Sequence, residues 1–131
     1  MKNGFKTRLV IHKILFRIYT KDFIFSNSII QKEINPFDQR DRAFITNVVL
    51  SSMRNHIFIE KVIKKFLKKK MTDKLKVLLI SSITQLLIMD IKEYAVVNTT
   101  VDLAKKINLH PGLVNALLKN IINEKIELKK I

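Results

Sequence analysis

Residues 75–90, LKVLLISSITQLLIMD, decide the fold that we predict for this chain. Ten of these sixteen residues are apolar, and no charge falls between Lys76 and Asp90. A helix of this composition is apolar on nearly every side, so other helices must surround it. The uncharged run is also well short of the ~20 residues that cross a bilayer. We therefore predict that this stretch is the central helix of a soluble helical bundle.

The composition favours a single all-α domain over residues 1–131, a length that buries a core without disulfides. The absence of cysteine excludes disulfides, thiolate nucleophiles and cysteine metal sites. Two glycines and two prolines are too few for the glycine-rich phosphate loops of nucleotide-binding or methyl-donor-binding α/β domains. No segment alternates between apolar and polar residues as a strand would, so we predict helices throughout.

The formal net charge of +14 exceeds what solubility requires and favours a polyanionic partner. Nucleic acid is the first candidate, and an anionic membrane surface is the second. A compositional origin is the alternative, because 20 lysines against 5 arginines, with 20 isoleucines, is a bias that A+T-rich coding also produces. His12 and Lys13 interrupt the apolar run at residues 9–16, which argues against a secretory signal and predicts a cytoplasmic protein.

The first predicted helix, residues 4–19, carries a row of cations that we call the basic stripe. At about 100° per residue, its cations fall within about 60° of one another, and a cluster of apolar residues lies on the opposite side. A solvated face with extended lysine side chains is the alternative to a binding surface. Phe5, Leu9 and Phe16 lie beside the stripe, where a neighbouring helix is a more common contact than a nucleobase. The stripe comprises Lys2, Lys6, Lys13 and Arg17, and the apolar cluster comprises Ile11, Ile14, Leu15 and Ile18.

Further helices are predicted over residues 26–34, from Asp38 as an N-cap, around residues 59–67, over residues 94–107 and from Pro111. The charged tail, residues 124–131, is expected to fray. Residues 61–76 contain eight lysines against Asp73 alone, which indicates either a solvated face or non-specific phosphate contacts.

No motif in the sequence predicts catalysis. His12, His56 and His110 are far apart and lack the spacing of metal ligands. No nucleophile elbow or Walker loop occurs, and the carboxylates show no motif spacing. We therefore predict no enzymatic activity, no metal and no cofactor.

Four short motifs occur in order and at characteristic separations: DRAF at residues 41–44, QLL at 85–87 with Asp90 after it, VNTTVDLAKK at 97–106, and GLVNALL at 112–118. Together they resemble the NusB/RsmB family over nearly the whole chain. The resemblance implies an all-α fold of about seven helices in two packed sub-bundles.

The family has two forms, and the resemblance leaves both open. NusB is a small stand-alone factor that binds boxA RNA together with the ribosomal protein called NusE, in transcription antitermination. RsmB has the same domain ahead of a catalytic domain that methylates cytosine C5 in small-subunit ribosomal RNA. The DRAF and GLVNALL motifs are closer to RsmB, whereas the length is closer to NusB. A third hypothesis is a basic helical protein-interaction module.

The resemblance also implies roles for individual residues, since the first helix faces RNA in the family. We expect Asp41 and Arg42 to form an ion pair or cap that joins the third helix to the sixth, through Asp102. Asn98 and Asn115 are expected to form internal hydrogen bonds. The predicted RNA contacts are Lys2, Lys6, Arg8, Lys13, Arg17 and His110.

Overall fold

The computed structural model describes residues 3–20 and 27–131, and within these ranges every regular element is helical. The all-α prediction is therefore confirmed. A π-helical segment, Thr84–Ile88, continues the fifth helix. The helices are α1 Asn3–Thr20, α2 Asn27–Ile34, α3 Gln39–Arg54, α4 His56–Phe66, α5 Asp73–Ile83, α6 Glu93–Lys106, α7 Pro111–Asn123 and α8 Lys125–Leu128.

The central position predicted for residues 75–90 is confirmed, because every residue from Val77 to Leu87 is buried. Helix α5 packs against α1, α3, α4 and α6. The stretch is not one uniform α-helix, however. Its last turn widens, so that the N–H of Met89 donates to the carbonyl of Thr84 at 3.0 Å. Asp90 then adopts a left-handed backbone conformation with φ 52°, which ends the helix.

Helix α1 is the second hub of the fold and packs against α2, α3, α5 and α6. The predicted apolar face is confirmed, since Ile11, Ile14 and Leu15 are fully buried and Ile18 is 2 % exposed. An apolar face that is buried against several helices fixes the rotation of α1 about its own axis. The opposite face of α1 is thereby held toward solvent.

Three helices begin at residues suited to a helix start, and the sequence predicted two of them, Asp38 and Pro111. The Asp38 carboxylate accepts a hydrogen bond from the N–H of Asp41 at 2.9 Å and caps α3. The Thr72 hydroxyl accepts from the N–H of Leu75 and caps α5 in the same way. Pro111 opens α7 at its first turn, where the missing N–H has no cost.

The prediction that residues 124–131 fray is wrong. Leu128 is fully buried against the core, and the last residues form the short helix α8. The ammonium groups of Lys125 and Lys129 lie 3.1 and 2.7 Å from the Asp90 carboxylate. One apolar anchor and two ion pairs therefore attach the tail to the end of the central helix, a long-range contact that the local charge pattern does not show.

Candidate nucleic-acid interface

The basic stripe lies on the outer face of α1, where Lys6, Lys13 and Arg17 are all exposed. Lys2, its fourth predicted member, lies outside the described residues. Among residues 3–20 and 27–131, none of these three cations has a carboxylate within ion-pairing distance. At 1.5 Å per residue, the row from Lys6 to Arg17 is about 16 Å long. The outer face of α1 is thus a rigid row of cations that form no ion pair within the described ranges, although Asp38 and Asp41 line the same hollow as Lys6.

The structure corrects the assignment of Arg8 as a phosphate contact. The side chain is buried, and its Nε donates to Oε1 of Gln85 at 2.7 Å while Nη1 donates to the Gly4 carbonyl at 3.2 Å. The guanidinium lies 5.0 Å from the centre of the Phe44 ring. Burial lowers the pKa of Arg8. On the helical wheel, Arg8 lies about 200° from Lys6. This position is the feature of the sequence that could have excluded Arg8 from the stripe.

The expectation that Arg42 joins the third helix to the sixth is wrong. Its Nε donates to the Phe37 carbonyl at 2.6 Å, and its Nη2 donates to the Asn35 carbonyl at 2.7 Å. Within the described ranges, neither Asp41 nor Asp102 forms an ion pair. Arg42 instead closes the loop between α2 and α3, because that loop leaves two carbonyl oxygens within its reach.

Within residues 3–20 and 27–131, Asn98 and Asn115 do not form the internal side-chain hydrogen bonds that were predicted, since Asn98 is exposed and Asn115 is half-buried. The inward positions of α6 are taken by Val96 and Thr100, which turns Asn98 outward. Both amides, with Asp102, instead line an open groove of about 730 Å³ where α6 meets α7 and the start of α1.

His110 is exposed, and its imidazole already has a structural contact. Its Nδ1 accepts a hydrogen bond from the N–H of Leu113 at 3.1 Å and caps α7. A role for the rest of the ring in binding phosphate stays a prediction.

The lysine-rich segment 61–76 is mostly solvated. Lys65 lies 3.1 Å from Glu124 and Lys76 lies 2.8 Å from Glu60, so two of its eight lysines have a carboxylate partner. Lys74 differs from the others, because its ammonium donates to the carbonyl of Ile107 at 3.3 Å and approaches α1.

A cleft of about 350 Å³ adjoins the stripe, a feature that the sequence did not predict. His12 lines it but is only 6 % exposed, and its Nδ1 has no hydrogen-bond partner among the described residues. Burial, with a smaller contribution from the Lys74 charge, lowers the pKa of His12 to about 4. The cleft is lined by His12, Lys13, Phe16, Arg17, Lys74 and Ile107, with Glu33 at its edge.

Acidification is expected to destabilise the fold through His12. The unfolded chain binds this proton near pH 6.5, whereas the folded protein resists it until about pH 4. Stability therefore falls as the pH drops through this window, by roughly 3 kcal/mol in all. The charge of Lys74 adds to the cost of protonating His12. Lys13, Arg17 and Glu33 line the same cleft.

Urea unfolding of the wild type and of His12→Leu, at about pH 7 and pH 4.5, measures this effect. The variant lacks the titrating group and should lose less stability than the wild type on acidification. Equal losses in the two proteins would exclude His12 as the source.

The fold and this surface define the class of protein. It is a small all-α domain that exposes, on one rigid helix, a row of cations without ion pairs among the described residues. A family model described as the NusB family matches residues 6–123, nearly the whole chain, and the chain belongs to this family. Members of the family generally bind RNA and are generally non-catalytic. No curated protein and no solved structure matches the chain. Across residues 3–20 and 27–131, no helix has both the length and the hydropathy of a membrane span.

Proposed function

We propose that this protein binds single-stranded RNA through the basic stripe and acts as a cytoplasmic, non-catalytic factor of NusB type in transcription antitermination or ribosomal RNA synthesis. The observation that carries the proposal is the row of Lys6, Lys13 and Arg17. These side chains are exposed and have no ion-pair partner in the described part of the chain, on a helix whose other face is buried in the core. Membership of the NusB family supports it. The proposed partners are boxA-like or ribosomal RNA, the ribosomal protein NusE and the transcription elongation machinery.

The chemistry of the stripe predicts affinity for RNA with little sequence selection. Lysine ammonium groups contact phosphates as point charges, whereas the guanidinium fork of arginine favours bidentate contacts. Arg17 is the stripe's single arginine, and the donors of Arg8 are used inside the protein. We therefore expect weaker selection for the boxA sequence than an arginine-dense first helix would give.

The second candidate is the N-terminal domain of an RsmB-like ribosomal RNA methyltransferase, which the DRAF and GLVNALL motifs favour. In that case the surface would recognise ribosomal RNA and a linked domain would carry out the methylation. The reading frame distinguishes the two, since an RsmB-like protein continues after Ile131 into a domain with glycine-rich methyl-donor motifs.

A binding series tests the proposal directly. The protein is titrated with a boxA-like RNA and with a fragment of small-subunit ribosomal RNA, with and without NusE, between about 50 and 200 mM salt. If the stripe contacts three phosphates of a single strand, the logarithm of the binding constant should fall with the logarithm of the salt concentration with a slope of about −2. Binding to vesicles of anionic lipid but to neither RNA would reject the proposal in favour of a membrane-surface role.

A further inference from the structure

The cleft beside the basic stripe combines an apolar interior with a cationic rim. Phe16 and Ile107 are half-buried and give its walls, which are largely apolar. Among the described residues, its charged lining consists of Lys13, Arg17 and Lys74 with one carboxylate, that of Glu33. Its volume of about 350 Å³ is within the usual range for small-ligand sites. Such a site fits a ligand that is flat and apolar at its centre and negatively charged around it.

Among the described residues that line the cleft, His12 is the polar side chain that carries no charge when neutral. A neutral imidazole has one donor and one acceptor nitrogen, as the edge of a nucleobase also has. Buried polar atoms in native proteins nearly always have a partner, yet Nδ1 of His12 has none among the described residues. Nδ1 is closed to solvent in this side-chain conformation, so a ligand in the cleft bonds to it only after the imidazole ring turns. The unused hydrogen-bonding capacity is nevertheless an observation independent of the surface charge.

The position of the cleft relates it to the stripe. Lys13 and Arg17 belong to both, and Lys74, at the start of α5, extends the positive charge beyond α1. A backbone that follows the stripe therefore passes the mouth of the cleft. Aromatic side chains beside such a cationic track are the usual stacking sites for the bases of single strands.

We propose that this cleft binds one unpaired nucleobase of the RNA, stacked on Phe16 and hydrogen-bonded at its edge to His12, while Lys13, Arg17 and Lys74 contact the flanking phosphates. The inference rests on the proposed function and deepens it, since it adds a base-binding site to a surface that otherwise contacts only phosphates. The alternative occupant of the cleft is a segment of a partner protein that has an acidic side chain next to an apolar one.

A tryptophan reporter tests the proposal, because the chain has no tryptophan of its own. In Phe16→Trp, a stacked base should quench the indole fluorescence as oligouridylate is added. Ile57→Trp is the matched control, since Ile57 is 65 % exposed on α4 and lines a different hollow, and its fluorescence should not change. Fluorescence anisotropy of the labelled RNA records binding in the same samples.

A second variant, Phe16→Leu, keeps an apolar side chain and removes the ring. Its affinity for oligouridylate should fall roughly 5- to 150-fold, the equivalent of one lost stacking contact. Its affinity for an abasic phosphodiester of equal length should not change, because that probe has the charge without the bases. Thermal unfolding confirms that each variant is folded.

The outcomes separate this inference from the proposed function. RNA binding with quenching in Phe16→Trp and a base-dependent loss in Phe16→Leu supports both. Normal RNA binding with neither effect overturns the base site and leaves RNA binding by the stripe in place. If NusE quenches the indole fluorescence of Phe16→Trp but RNA does not, the base site is likewise overturned, and the cleft binds a protein segment instead. No RNA binding by the wild type overturns the proposed function and this inference with it.

Discussion

Replacing Lys6, Lys13 and Arg17 together with glutamine is expected to weaken the binding of single-stranded RNA by roughly 100-fold at about 0.1 M salt. Each phosphate contact to a single strand releases condensed counterions and adds about 0.7 to the log-log salt slope. Loss of three contacts should therefore lower the magnitude of the slope by about 2. Filter binding over a salt series measures both quantities.

The matched control replaces Arg54, Lys61 and Lys64, which are also one arginine and two lysines and are also exposed. They lie on α3 and α4, and the control protein has the same net charge as the stripe variant. If the stripe is a specific surface, the control should lose less than about threefold in affinity, through long-range attraction alone. Equal losses in both variants would mean that RNA responds to total charge and not to α1.

Replacing Gln85 with leucine is expected to destabilise the fold by about 3 kcal/mol and to lower Tm by about 10 °C. The Gln85 Oε1 atom is the acceptor for the buried Nε of Arg8 at 2.7 Å, and its removal leaves a desolvated cation without that partner. The Gln85 amide also donates to the carbonyl and the hydroxyl of Ser81, at 3.1 and 3.0 Å. Thermal and urea unfolding measure the loss.

The double variant Arg8→Met with Gln85→Leu is the control, because it removes the buried charge together with its acceptor. An apolar pair of similar size should recover much of the lost stability. It should also bind RNA as the wild type does below its unfolding temperature, since Arg8 faces the core. A double variant no more stable than Gln85→Leu would contradict this account of the pair, and a loss of RNA affinity would restore Arg8 as a contact.

The sequence predicted the two central helices well because their environment is encoded locally. The uncharged run at residues 77–89 has no side to expose, and the wheel of α1 separates Ile11 and Ile14 from Lys6 and Lys13. Periodicity of this kind depends only on the helix repeat. The same periodicity predicted the solvent-facing position of the described stripe residues.

The misassigned residues have partners that are either distant in the chain or on the backbone. Arg8 lies 77 residues before Gln85, and the tail is ordered by contacts with Asp90 and the core. Arg42 reaches backbone carbonyls, which carry no sequence signature. The cleft at His12 likewise requires the end of α6 and the start of α5 to meet α1, and only the folded chain brings them together.

One NMR measurement tests the central claim that α1 binds RNA. At 15.3 kDa the ¹⁵N-labelled protein is suited to a titration with a boxA-like RNA, followed through its amide shifts. The account predicts that the largest shifts fall on Lys6, Lys13 and Arg17 and on their neighbours along the outer face of α1. Shifts confined to α4 and residues 67–72, with α1 unchanged, would contradict it.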